Sequence, residues 1–403
     1  MTDRVLAKAR EALGADAVGQ DPQGRPRVSP ESTDGVARAM ALAHNEGWTV
    51  RIEGRGTWCP PDAPADLVVT TTALDRVNTV APSDLVATIQ AGAAIGAVQR
   101  RLSAERVWLA WDSPGRPQRS LGSIVATGTA GPLRHRYGPV RDHLLGCTFV
   151  SGDGRIVRPG GTVVKNVAGY DLTKLMAGGF GAFGVITELN LRLRAAPELD
   201  RTLLARGGRD ALSSAGRDLA AAAIDAVALE LLSPAMAADA EWVMAVRLAG
   251  SADGVRAETE RVKQVATLAW SAPSPDQANA IWHGAAHAAL AGNVTIRLGV
   301  LLPGIDDTLD LLADHLDLGL VAAGAGSGSI RWTGDVPPER LMTVRRIAAG
   351  REIPLTLERA PWAYRHTAGH FGLYREGVGT IVARLRDTFD PGHVVQVPLD
   401  ADG

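Results

Sequence analysis

Residues 160–194 read GGTVVKNVAGYDLTKLMAGGFGAFGVITELNLRLR. Glycines at 160, 161, 169, 178, 179, 181 and 184 interrupt short apolar runs. Glycine costs conformational entropy in regular structure, so this density implies left-handed backbone or close approach to something. Asp171 is suited to cap a short helix over Leu172–Met176, which the Gly178–Gly179 pair stops. From Val185 to Leu193 apolar residues (Val185, Thr187, Leu189, Leu191, Leu193) alternate with Glu188, Asn190 and Arg192, the pattern of a half-buried strand. On residue types alone the stretch is a helix–loop–strand crossover with tight turns.

Upstream, Trp48–Ile52 reads as a strand running into Gly54-Arg55-Gly56-Thr57-Trp58. A GxG after a strand invites a dinucleotide fingerprint, but that motif needs a third glycine and an immediate helix. Pro60 and Pro61 forbid the helix, so NAD(P) is disfavoured and a plain turn remains open. A second Gly-rich loop, Ser120-Leu121-Gly122-Ser123-Ile124-Val125-Ala126-Thr127-Gly128-Thr129-Ala130-Gly131-Pro132, follows Trp111-Asp112-Ser113-Pro114-Gly115. Small side chains and free donors there suit a polyanionic cofactor lying against backbone, or simply a loop.

The words VVKNVAGYDLTKLMAGGFGAFGVITELNLRL resemble the PCMH-type FAD-binding oxidoreductase family of glycolate oxidases and related FAD-linked oxidases. Within it the chain is similar above all to the FAD-binding accessory subunit of glycolate oxidase. The resemblance implies an α+β fold: a two-subdomain FAD-binding domain followed by a smaller α+β cap or substrate domain. It implies FAD as cofactor, which two separate Gly-rich loops favour over FMN. It places Gly54, Arg55, Gly56, Thr57, Trp58, Pro114, Ser120, Leu121, Gly122, Ser123, Thr127, Gly131, Val185 and Ile186 at the cofactor. Trp58 stands where relatives often carry Ser or His, which excludes a histidyl–flavin bond at that place. Ser123 replaces a usual glycine. "YGPVRDHLLG", with Arg141 and Asp142, is a further shared phrase, readable as a phosphate contact or as a pair pinning the loop.

The 403 residues exceed one ordinary domain. The expected division is an N-terminal helix and linker (1–24), the FAD-binding domain (25–198), an α+β cap (199–375) and a C-terminal helix and tail (376–403). A helix is expected to about residue 20, a linker over Asp21–Arg27, and a helix capped by Ser32 or Thr33 ending at Gly47. Strands are expected at Asp66–Thr71, Leu85–Gln90 and Leu144–Ser151, with a helix at Ala93–Arg101. The cap alternates strands (Val227–Leu232, Trp242–Leu248, Val294–Leu301) with helices (Arg209–Ala223, Ser251–Thr267). A last helix, Gly377–Asp387, precedes Phe389-Asp390-Pro391-Gly392, and His393–Pro398 stands where relatives run to Asn-Pro-Gly.

The net charge of −2 gives no case for nucleic acid or an anionic membrane. Two cysteines, Cys59 and Cys147, exclude a four-cysteine zinc or iron–sulfur site and a disulfide framework. The N-terminus lacks the apolar core of a signal peptide, and the expected location is cytoplasmic. His366/His370 and His283/His287 have helical i, i+4 spacing but no accompanying carboxylate, so no metal is assigned. No His-x-His occurs, whereas the resemblance implies one in the family's catalytic large subunits. Lys165 and Tyr170 are open between a flavin-facing and a loop-stabilising role, and no catalytic acid or base is assigned.

Three functions follow. The first is an FAD-binding subunit of a glycolate oxidase-type complex acting on a small 2-hydroxy acid. Its partners would be a catalytic flavoprotein subunit and an iron–sulfur subunit, through which it could associate peripherally with a membrane. The second is a self-sufficient FAD-linked oxidase or dehydrogenase of another hydroxy acid or polyol. The third is a scaffold that has lost FAD, motivated by Trp58, Ser123 and the missing Asn-Pro-Gly.

Overall fold

A computed structural model describes residues 2–162, 171–372 and 376–397. Three sheets carry the fold. The first has four strands in the order Val18–Gln20, Pro26–Val28, Leu67–Thr70, Val50–Glu53. Its first two strands form an antiparallel hairpin and the others pair in parallel. Helices Thr2–Leu13 and Thr33–Glu46 cover it, burying Val5, Ala9, Val36 and Met40 against Val50, Leu67 and Val69. Each Leu or Val so buried stabilises by roughly 1.5–3 kcal/mol.

Two N-terminal expectations need correction. The first helix stops at Leu13, and Asp21–Arg27 is no linker but a hairpin turn leading into Pro26–Val28. Asp21 makes the turn, its Oδ1 accepting from the backbone N–H groups of Gln23 and Arg25 at 2.9 Å each. Ser32 does cap the next helix, accepting from Gly35 N at 3.1 Å, and Gly47 ends it.

The second sheet is antiparallel, in the order Val77–Ala81, Val86–Gln90, Val185–Arg192, Leu144–Val150, Ile156–Val157. Strand Val185–Arg192 is central because its alternating face, Val185, Thr187, Leu189 and Leu191, is buried. Asp171 caps Leu172–Met176, as its position suggests. The Ser120–Pro132 stretch departs from the expected loop: Leu121–Thr127 is an α-helix. Ser120 caps it, Leu121, Ile124 and Val125 form a buried stripe at helical spacing, and Gly128 ends it at φ 61°.

The third sheet is antiparallel and seven-stranded, ordered Leu199–Gly207, Trp242–Gly250, Ala228–Leu232, Leu320–Gly324, Ser329–Gly334, Val294–Gly299, Leu355–Arg359. The expected strands and helices of this half are present. The strands after residue 319 and the helices Pro275–Ala288, Ile305–Leu316 and Pro338–Gly350 are additional. The chain then returns to the first half. Phe389 packs on Phe149 at 5.6 Å. Val50 N donates to Val394 O (2.7 Å) and Gln396 N to Val50 O (2.8 Å), stitching the tail to the first sheet. Among the described residues no helix is long and apolar enough to cross a membrane.

Candidate functional site

Strand Val50–Glu53 delivers Gly54–Cys59 to a groove between the first two sheets. The groove is lined by Gly54, Arg55, Gly56, Thr57, Trp58, Gly122, Ser123, Thr127, Phe180, Gly181, Gly184, Ile186, Arg365, His370, Gln396 and Val397, among others. Among the described residues the backbone N–H groups of Arg55, Gly56 and Thr57 donate to nothing. A run of unspent amides beside guanidinium groups is what an anionic diphosphate needs. Gly54 is required by close approach: a Cβ there would lie 2.1 Å from Ser120 Oγ. Gly56 is held at φ 64°.

The structure brings nine expected residues, Gly54–Trp58, Gly122, Ser123, Thr127 and Ile186, to one groove. Ser120 does not line it and instead caps the helix. Leu121 and Val185 are fully buried in two cores. Pro114 and Gly131 line a separate cavity of about 20 Å³, next to Asp112, Glu230 and Arg331. Arg55 turns its side chain outward, donating Nε to Gly92 O at 2.8 Å. Lys165 and Tyr170 lie outside the described residues.

Trp58 is not a groove-side donor but a buried plug. Its Nε1 donates to the Glu358 carbonyl (3.0 Å), and the Arg119 guanidinium lies 4.0 Å over its ring. Arg119, invisible in the sequence pattern, donates to Pro114 O (2.6 Å) and Thr127 Oγ1 (2.7 Å). Burial pushes its pKa down to about 9. Behind it Glu358 accepts from Arg331 Nε (2.9 Å) and Arg297 Nε (3.0 Å), and Arg331 Nη2 also reaches Ala130 O (2.8 Å). The seven-stranded sheet is thereby locked onto the Gly131 segment.

The histidine pairs do not converge. His370 is buried, stacks on Phe180 at 3.7 Å and faces Leu357 O with Nδ1 at 3.1 Å; burial pushes its pKa down to about 3. His366 leans on Trp362, 5.7 Å away. His287 Nδ1 contacts His283 O at 2.9 Å on an exposed face. Arg141 and Asp142 pair at 3.6 Å on the surface, the pinning role.

His143, in the same phrase, is 1 % exposed and edge-on to Trp111. Neither ring nitrogen makes a well-formed hydrogen bond among the described residues, although the Tyr137 backbone weakly favours the charged ring. Burial first, then Arg194, pushes its pKa down to about 4. The folded state therefore prefers neutral imidazole. This stability is complete above the unfolded value near ~6.5 and is lost as pH falls toward the folded one. His143→Phe is expected to remove about 2 kcal/mol of the stability difference between roughly pH 7 and 4.5. Urea unfolding of both proteins at both pH values checks this; equal pH differences would clear His143.

A family profile described as an FAD binding domain matches residues 26–160. Residues 26–160, which supply much of the groove, are thus similar to an FAD binding domain. The glycolate oxidase subunit GlcD of Bacillus subtilis is 29% identical over 209 residues, covering 51% of this chain and 44% of GlcD. The glycolate oxidase subunit GlcE of Escherichia coli is 37% identical over 123 residues, 30% of this chain and 35% of GlcE. Both matches thus span less than half the length of the relative. Among solved structures, an alkyldihydroxyacetonephosphate synthase superposes with TM-score 0.73 at 13% identity, covering 100% of this chain and 85% of that one. The 4-ethylphenol oxidase of Gulosibacter chungangensis superposes at 0.74 and 13% identity, covering 97% and 95%. These likenesses establish the fold.

Proposed function

We propose that this chain is the FAD-binding subunit of a glycolate oxidase-type complex that oxidises a small 2-hydroxy acid. It would act beside a catalytic flavoprotein subunit and an iron–sulfur subunit. Residues 25–198 would hold FAD and 199–375 would form the cap. The observation that carries the reading is the row of unspent amides at Arg55–Thr57, inside the stretch that matches the FAD binding domain. Those amides would hold the pyrophosphate, with Ser123, Thr127 and Ile186 along the groove. Bound flavin supplies two-electron redox chemistry; the chain supplies position and electrostatics.

Support for an accessory rather than a self-sufficient role comes from the sequence, which has no His-x-His, the metal-binding motif that the resemblance implies for the family's catalytic large subunits. The purified chain is expected to be yellow and to turn over glycolate with an artificial acceptor only when its partner subunits are added. Rapid turnover by the chain alone would instead favour the self-sufficient oxidase, and a colourless protein the scaffold.

Trp58 favours the scaffold as a second reading. The groove, which the buried Trp58 indole helps to line, holds only about 140 Å³, below the ~300–1,000 Å³ usual for ligand clefts. Trp58→Ala is therefore expected to raise the fraction of FAD retained after reconstitution and desalting. An unchanged fraction would show that Trp58 does not limit entry.

A further inference from the structure

A cleft of about 1050 Å³ lies apart from the cofactor groove and shares no lining residue with it. It lies against the seven-stranded sheet, between strands Val294–Gly299 and Ser329–Gly334 and helix Ile305–Leu316. Its inner wall holds half-buried Arg134, Arg297 and Ser329; its rim carries exposed Asp307, Asp310, Asp314 and Glu352 against a single exposed arginine, Arg351.

The inner wall has more positive charge than its carboxylates balance. Arg134 Nη1 donates to Ser329 Oγ (3.2 Å), and no carboxylate pairs with Arg134 among the described residues. Arg297 donates Nε to Glu358 (3.0 Å) and Nη2 to Thr356 Oγ1 (3.2 Å), leaving Nη1 unused. Arg331 stands opposite Arg297 in strand register and draws on the same Glu358. Glu230, the remaining nearby glutamate, is pushed up to about 8 by burial and so is largely neutral at neutral pH. Asp112, pushed up to about 6 by burial, also acts on Arg331, yet among the described residues no carboxylate but Glu358 forms an ion pair with any of these three guanidinium groups. Burial first, then repulsion from Arg297 and Arg331, pushes Arg134 down to about 10, as uncompensated charge requires. Buried charge without a partner is costly, and a bound anion would offset that cost through charge-assisted hydrogen bonds.

We infer that this cleft binds a small organic anion, its carboxylate or phosphate head on Arg134, Arg297 and Ser329. The acidic rim selects a tail that carries an amine or hydrogen-bond donors, because a second anionic group there would meet Asp307, Asp314 and Glu352. Nothing in this site depends on the flavin groove.

Calorimetric titration of the full chain with inorganic phosphate and with O-phosphoethanolamine tests it. Both should bind, the phosphoethanolamine more tightly, and Arg134→Gln should weaken both by about tenfold or more. Arg134→Gln gives up one hydrogen bond to the Ser329 hydroxyl and no ion pair, and should fold; circular dichroism confirms this. Arg297→Gln serves as the second variant, with the same expected loss. Absence of binding by the folded wild-type chain up to about 10 mM of either probe overturns the inference, as does binding that both variants leave unchanged. Weaker binding of phosphoethanolamine than of phosphate overturns the role of the rim. The visible absorption of flavin is read in the same samples, so a colourless chain that still binds anions separates failure of the cofactor reading from failure of this one.

Discussion

Glu358→Gln is expected to lower the unfolding free energy by about 3–5 kcal/mol, the usual loss when one partner of a buried ionic network is removed. Glu358 is 1 % exposed and accepts from Arg297 on the neighbouring strand and from Arg331 on the strand beyond it. Gln keeps the shape but leaves two guanidinium groups without a counterion. The double variant Glu358→Leu/Arg331→Met should recover only part of the loss: a well-packed apolar pair can replace the Glu358–Arg331 pair, but Arg297 still lacks its carboxylate. Urea unfolding of wild type, single and double variants measures both effects. A single-variant loss under about 1 kcal/mol would mean the network is solvated enough to matter little. The pH dependence has a defined sign. Burial alone would raise the Glu358 pKa, but Arg331 and Arg297 outweigh it and hold the carboxyl below its usual range. Its contribution is present above the unfolded carboxylate value near ~4.3 and is lost as pH falls through the folded one.

That network also shows where sequence reading stops. Strand Val185–Arg192 was legible because a half-buried strand must alternate, and Asp171 because a cap acts within four residues. The groove residues Gly54–Thr57 were reachable only through the family resemblance, because a GxG after a strand is by itself equally a plain turn. Helix Leu121–Thr127 was hidden by Gly122, Ser123 and Thr127, residues that favour turns; burial of Leu121, Ile124 and Val125 overrides their propensity. His370 and Arg365 reach the groove only through the strand Leu355–Arg359 and its following helix, far from the glycine motifs in sequence. Arg119 and Glu358 had no signal at all, since a lone Arg or Glu is ordinarily a solvated residue. Their roles arise from tertiary contact between the two halves of the chain.

The proposed cofactor site turns on Gly56, and Gly56→Val is expected to give folded protein with less than about a tenth of the wild-type flavin, a loss of at least ~1.4 kcal/mol in affinity. Space is not the obstacle: the nearest atom to a new Cβ is Glu53 Oε1 at 3.0 Å, the end of a flexible side chain. Backbone conformation is. At φ 64° a β-branched residue is strained by more than the roughly 1–2 kcal/mol an ordinary L-residue bears there. The loop relieves the strain by rotating peptide planes, and the amides of Arg55–Thr57 then no longer converge. Gly56→Asn separates this from bulk effects, because Asn tolerates the left-handed region and should keep most of the flavin. The ratio of visible to ultraviolet absorbance gives occupancy, and circular dichroism with thermal unfolding shows whether the fold survives. Full occupancy in a folded Gly56→Val protein would remove the Gly54–Thr57 loop from the cofactor site, leaving its unspent amides as an ordinary solvated turn.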